Sequence, residues 1–398
     1  MIELIGLLVA FVVIFALRFR GVDFALTIFV ASAIVGLTAL KPLGIFWDVA
    51  VKTAADPETW DLCAAVALIT VLGYALKETG LMVELIENLR GFLSSRVLLA
   101  VIPALFGILS MPGGALMSAP FNEPEAERLK LRPEHKTFIN IWFRHVWYWA
   151  SPISPTTILA VTLAGVQLRD FIVSNLPLFL ATWIIGFAVS WRFIREVPEE
   201  GPRKKNYANT LKGLSPIVVT VALTLIELPI WLAVAIGVAL VAVLKRSSPR
   251  KVLGFFRAGV KWEIVAAVFA TLFFRYMIVA SGSVTSFLQN IISSGVPLFA
   301  LLIAAPLLVG TISGTPTMGI GIIFPLLLPL ITSLNVHTLT IIFAGIVSGY
   351  TGSPMHLCLI LTNSYYRSDL NKVYRFLIPP LIVLYTVAVL YHLATGGQ

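Results

Sequence analysis

The chain has 398 residues, of which 58% are hydrophobic and only 12% charged, with a mean hydropathy of +0.92. A soluble domain carries about 25% charged residues, so a soluble enzyme module is excluded and an all-α integral membrane protein is implied. The net charge of +9 becomes a question of which loops hold it, and nucleic acid is not an expected partner.

A crossing helix needs about 20 apolar residues. In chain order, spans are predicted at 2–17, 23–40, 61–77, 137–166, 173–191, 214–228, 229–245, 262–280, 338–365 and 376–394. The N-terminal stretch has no basic leader and no A-x-A site, so it reads as a first span and not a cleaved signal. Cys63 and Cys358 both lie inside apolar runs and read as small core residues. Two further apolar stretches, 97–121 and 297–331, carry Gly/Pro breaks at "SMPGGALMSAP" and "SGTPTMGIGIIFP".

Charge decides how these two stretches lie. If both enter and leave on one side as re-entrant hairpins, nearly every Lys and Arg falls in a cytoplasmic loop. Only Lys41, Lys52 and Arg169 are outside, and Arg144 and Arg275 lie within spans. If both cross, the basic segments 122–136 and 192–212 move outside and the positive-inside bias is lost. The hairpin arrangement is therefore predicted, with ten crossings and both termini outside the cytoplasm of a plasma-membrane, multi-pass protein.

The chain also repeats itself. "TWDLCAAVALITVLGY" (59–74) aligns with "KWEIVAAVFATLFFRY" (261–276), and each is followed by a short amphipathic stretch, a broken stretch, and a long span interrupted by Ser-Pro (150–157 and 351–358). Residues 1–192 form one repeat, with hairpin 97–121 and broken helix 137–166. A polar cytoplasmic linker, 193–213, leads to a second repeat over 214–398, with hairpin 297–331 and broken helix 338–365. Five crossings per repeat turn the second upside down, and inverted repeats with broken helices are the build of secondary transporters.

A mid-membrane break is tolerated only where protein or a watery cavity satisfies its backbone groups. Four breaks are thus expected to meet at one midplane site. The substrate-binding candidates are Ser110, Gly113, Gly114, Ser154, Thr156, Ser313, Gly314, Thr315, Thr317 and Ser353, joined by Arg144, His145 and His356. Arginine beside hydroxyls and helix N-termini suits an anion, and no Asp or Glu lies deep in a span. Arg144 reads equally as an interfacial snorkeller in the aromatic run 142–149, about two turns before the Ser151 break. Arg275 reads as an outer-leaflet anchor or helix-pair contact.

These parts resemble the ion transporter superfamily, which includes divalent-anion/sodium symporters and gluconate permeases. "WFRH" before a broken span is similar to a prokaryotic branch of that group. The resemblance implies a homodimer working as an elevator, with segments 80–95 and 281–294 as interfacial arms. It also implies sodium as the coupling ion, held by hydroxyls and carbonyls at the tips and breaks, with Ser110, Ser151, Ser313 and Thr351 as candidate ligands; no other cofactor is expected. The tips lack the Asn of the Ser-Asn-Thr signature found in the carboxylate symporters, so the resemblance fixes architecture and leaves substrate open. The expected activity is sodium-coupled secondary transport of a small organic anion, with membrane lipid as its surroundings. Proton-coupled gluconate-like or oxyanion transport is a second reading. An intramembrane enzyme acting on a lipid phosphate is a third, but no paired intramembrane Asp and no H-E-x-x-H motif supports it, so no catalytic residue is expected.

Overall fold

The structure, a computed structural model, describes residues 2–108, 114–194, 206–282, 295–331 and 335–395, and among these there is no strand. The first half contains α1 (Ile2–Phe19), α2 (Phe24–Thr38), α3 (Gly44–Ala55), α4 (Pro57–Glu78), α5 (Leu81–Leu89), α6 (Ser95–Ile108), α7 (Gly114–Arg128), α8 (Pro133–Arg144), α9 (Pro155–Ala164) and α10 (Leu168–Trp191). The second contains α11 (Tyr207–Leu225), α12 (Ile230–Leu244), α13 (Pro249–Gly259), α14 (Trp262–Ser281), α15 (Leu298–Ser313), α16 (Pro316–Leu327), α17 (Val336–Gly352), α18 (Leu357–Tyr366) and α19 (Leu370–Ala394). Helices α4, α10, α11, α14 and α19 are each long and apolar enough to cross a membrane alone.

One local device starts several of these helices. Asp56-Pro57, Ser154-Pro155, Ser248-Pro249 and Thr315-Pro316 each place a capping side chain before a proline at the first helical position. Proline keeps the preceding residue extended, which suits a cap, and its missing N–H costs nothing at that position. Two of these starts, at α9 and α16, open short apolar helices.

The helices pack in two groups. In one, α1 lies on α2, α11 on α12, α2 and α3 on α14, and α12 and α13 on α4. In the other, α6 packs on α8, α15 on α17, α7 on α18, α16 on α9, α8 on α19 and α10 on α17. Each pairing has a counterpart in which the halves exchange roles: α2 with α14 answers to α12 with α4, and α7 with α18 to α16 with α9. The groups meet mainly where α9 touches α4 and α16 touches α14. α5 lies on α11, and its Glu84 pairs with Lys245 just after α12.

Several boundaries differ from the sequence reading. Helix α7 runs to Arg128, past the expected hairpin end at 121, although Pro120 and Pro124 lie within it. Hydropathy falls at 121, but the polar turns find partners. Asn122 Nδ2 donates to the Leu99 carbonyl (3.0 Å), Tyr365 Oη donates to Glu123 (2.6 Å), and Lys136 pairs with Glu127. Helices α3 and α13 were not expected, because their apolar runs are short and carry charge; they occupy corresponding places in the two halves. The stretch expected as the first interfacial arm, 80–95, contains α5, and residues 283–294 of the second lie outside the described residues. Cys63 is buried as expected, and Arg275 lies over the Tyr276 ring.

A buried polar chain fastens α7 to both halves. Ser118 Oγ on α7 donates to Asn140 Oδ1 on α8 (2.7 Å), and Asn140 Nδ2 donates to Thr362 Oγ1 on α18 (3.1 Å). Unmade buried hydrogen bonds cost about 1–3 kcal/mol. Asn140→Leu should therefore lower the thermal midpoint of the purified protein; an unchanged midpoint would show that the chain contributes nothing to stability.

Candidate functional site

The first long span is interrupted earlier than its Ser-Pro sequence indicated. Helix α8 stops at Arg144, a 3-10 turn covers Val146–Trp149, and a further turn follows before Ser154, itself extended, caps α9. Arg144 therefore belongs to the break itself and not to a turn two windings before it. It is only 7% exposed, and its Nη1 donates to the Phe106 carbonyl on α6 (3.3 Å). Trp142 and Trp149 are 2% and 1% exposed, so the aromatic run packs inside the protein, and the snorkelling reading of Arg144 is set aside.

The second span breaks between Gly352 and Leu357. At the second hairpin tip α15 ends at Ser313, Gly314 takes the left-handed conformation (φ +73°), and Thr315 caps α16 by accepting from Met318 N (3.3 Å). A side chain at φ near +73° is strained, which explains why glycine closes this turn.

These three places converge on one cavity of about 320 Å³. Of the sequence candidates, Arg144, His145, Ser151, Ser154, Thr156, Gly314, Thr315 and Thr317 line it. The Thr156 and Thr317 hydroxyls are 2.8 Å apart and join the second tip to the first break. The Ser151 hydroxyl is buried without a hydrogen-bond partner. Ser313, Thr351 and Ser353 stand behind the wall. Ser313 Oγ donates to the Gly310 and Thr315 carbonyls (3.3 and 3.0 Å), and Thr351 Oγ1 donates to the Val347 carbonyl (2.7 Å). Ser353 Oγ donates to the Thr311 carbonyl (2.5 Å) and accepts from Met355 N (3.0 Å). Their protons hold the turns together, and their lone pairs remain. His356 is fully buried, with its ring 4.7 Å from that of His145. Ser110 and Gly113 lie outside the described residues, and Gly114 opens α7.

The wall also holds residues the sequence reading passed over. Cys358 was expected to be a core residue, but it lines the cavity beside Tyr148 and Tyr350. Glu263, exposed at the start of α14, is the acidic side chain on the wall. The internal repeat carried a signal for it, because its aligned partner Asp61 lines a separate cavity against α9.

The electrostatic character follows from the helix ends. The first turns of α9, α16 and α18 all contribute to the wall through Ser154–Thr156, Thr315–Thr317 and Leu357–Cys358. Each helix N-terminus carries roughly half a positive charge, and Arg144 adds a full one. A larger cavity of about 550 Å³ lies where α6, α7 and α10 meet, around Arg96, Arg128 and Trp191. No helix break converges on it, and it carries no part of the functional reading.

Fold and site together define a polytopic helical membrane protein built around discontinuous helices that end on a shared, positively polarised cavity. The chain belongs to the family described as "Protein of unknown function (DUF401)", whose profile matches residues 3–395. No functionally curated protein matches its sequence. Its fold is similar to that of a solved structure, the YdaH transporter of Alcanivorax borkumensis, described as having an unusual topology. The TM-score is 0.65 at 14% sequence identity, over 94% of this chain and 97% of that one.

Proposed function

We propose that the protein is a secondary active transporter of a small organic anion, coupled to sodium and working by an elevator motion. The observation that carries this reading is the convergence of three helix N-termini and Arg144 on one cavity. Backbone N–H groups and a guanidinium are the standard means of holding a carboxylate or oxyanion. A volume of about 320 Å³ is at the small end of ligand sites, which favours an anion of few heavy atoms.

The exchanged pairings of the two halves support an inverted repeat, and the division of helices into two groups supports a moving body that carries the cavity past a fixed one. Both groups of broken-helix parts lie in the moving body, with α4 and α14 facing it from the other. The start of α14 is assigned to the cytoplasmic side by the charge pattern. On that assignment, Glu263 on the cavity wall supports an opening toward the cytoplasm in this state, and the same charge pattern supports termini on the opposite side. The unpartnered Ser151 hydroxyl and the lone pairs at Ser313 and Thr351 supply oxygen ligands for sodium. The adjacent His145 and His356, with rings 4.7 Å apart, favour a second reading, coupling to protons, since histidines within membrane segments serve as proton relays.

Purified protein in liposomes separates the two. A thermal-shift screen of small anions in sodium or potassium identifies the substrate, and uptake is then driven by an imposed sodium gradient. Sodium-driven uptake is the expected result. Uptake driven equally by a proton gradient without sodium would reject sodium coupling, and absence of uptake for every stabilising anion would reject transport.

A further inference from the structure

His145, His356 and Cys358 bring their ligand atoms within 4.8 Å of one another. We propose that they form a binding site for a thiophilic transition-metal ion, with zinc as its representative. The site rests on these three side chains, and only its coupling to an anion rests on the transport reading.

The donor set is the first argument. Two imidazoles and a thiolate suit zinc or copper, whereas magnesium and calcium require oxygen ligands. The orientation of the rings is the second. His145 Nδ1 lies 2.5 Å from the Ile141 carbonyl, and His356 Nδ1 lies 3.3 Å from the Thr351 carbonyl. A ring that donates from Nδ1 to a carbonyl keeps its proton there and offers an Nε2 lone pair, which is how metal-binding histidines are held.

The third argument is an unsatisfied atom. His356 is fully buried, and its Nε2 has no hydrogen-bond partner. Buried polar atoms left without partners are uncommon and need an account; a metal at the centre of the three supplies one. Tetrahedral zinc places its nitrogen and sulfur ligands about 3.5 Å apart, so the side chains must close by about 1 Å.

Backbone placement allows that closure. His356 and Cys358 flank the start of α18, and His145 begins the break after α8, so the site joins the broken spans of both halves. Cys358 and His145 line the cavity, which gives the ion an entry path and leaves the fourth position facing the open space. On binding, the thiol proton leaves to solvent and the thiolate joins the metal. Zinc with one thiolate keeps a net positive charge beside Arg144, so an anion in the cavity completes both charge and coordination. Metal and anion are therefore expected to strengthen each other's binding.

The test uses the full-length protein in detergent, stripped by a chelator and titrated with cobalt(II) as a coloured stand-in for zinc. One cobalt per chain is expected, with a near-ultraviolet sulfur-to-metal charge-transfer band that zinc abolishes. Cys358→Ser should remove the band, His356→Ala should weaken binding at least about tenfold, and Cys63→Ser should leave both unchanged. Absence of the band in the unaltered protein, or its survival in Cys358→Ser, overturns the proposal. Should a histidine variant misfold, alkylation of Cys358 in the Cys63→Ser background decides. Protection by one equivalent of zinc supports the site, and equal rates with and without zinc reject it.

Discussion

Arg144→Ala is expected to weaken binding of the stabilising anion by about thirtyfold or more, while the protein still folds. The guanidinium is 7% exposed and stands at the end of α8, where three helix N-termini also point. Removing one member of a buried, hydrogen-bonded charge pair costs about 2 kcal/mol or more, which is the stated factor. The fold should survive, because the aromatic residues around the break are buried in their own right and the Phe106 carbonyl lies at the end of a helix, close to a cavity. Arg144→Lys should recover part of the affinity: it restores the charge but not the planar fork. The check is the anion-dependent rise in thermal midpoint, followed by uptake in liposomes. An affinity unchanged in Arg144→Ala would mean that the anion is held elsewhere.

The second large effect concerns packing. Gly107 on α6 lies so close to α8 that an added Cβ would collide with the carbonyl oxygen of Arg144. The backbone of α8 cannot yield as a flexible side chain would. Gly107→Val must therefore push α6 away from the break, at a cost of about 1–3 kcal/mol for overpacking. The same displacement moves Arg144 itself, so uptake should be lost and the thermal midpoint should fall together. Gly310 on α15 stands in the corresponding position against the Ile346 carbonyl, and Gly310→Val should behave alike. Gly254→Ala on α13 is the control, since its Cβ meets nothing within 4 Å and the change should be neutral or slightly stabilising. Normal uptake by Gly107→Val would show that α6 has no fixed seat on α8.

The fold was legible where a single physical constraint acts over a long stretch. Hydropathy located the long helices, and Pro and Gly within apolar sequence located the second hairpin tip and the Ser-Pro break after Gly352. What remained hidden depended on partners distant in sequence. The helical continuation of α7 through "FNEPEAER" rests on Tyr365, Lys136 and the Leu99 carbonyl, which no local window reveals. The early end of α8 at Arg144 was obscured because "RHVWYW" is apolar and aromatic enough to read as continued helix. Cys358 was misread for a related reason. An isolated cysteine in a greasy run is usually core, and only the approach of His145, 213 positions earlier in numbering, gives it another meaning. Arg144, His145 and the hydroxyls of α9 and α16 were visible as candidates because polar residues in a membrane segment are costly wherever they appear.

The exchange of partners between the halves has a consequence for biogenesis. The Asn140–Thr362 bond spans 222 positions, and α7, α8 and α9 all complete their packing on helices made near the end of synthesis. At roughly 5–20 residues per second, the ribosome takes about 10–45 seconds to deliver α18 after α8 has emerged. During that interval α7 and α8, with their polar side chains, lack their final neighbours. A nascent chain of this architecture needs shelter from the insertion machinery until its last helix arrives, and truncation anywhere before α18 yields a product for proteolysis instead of a smaller working unit.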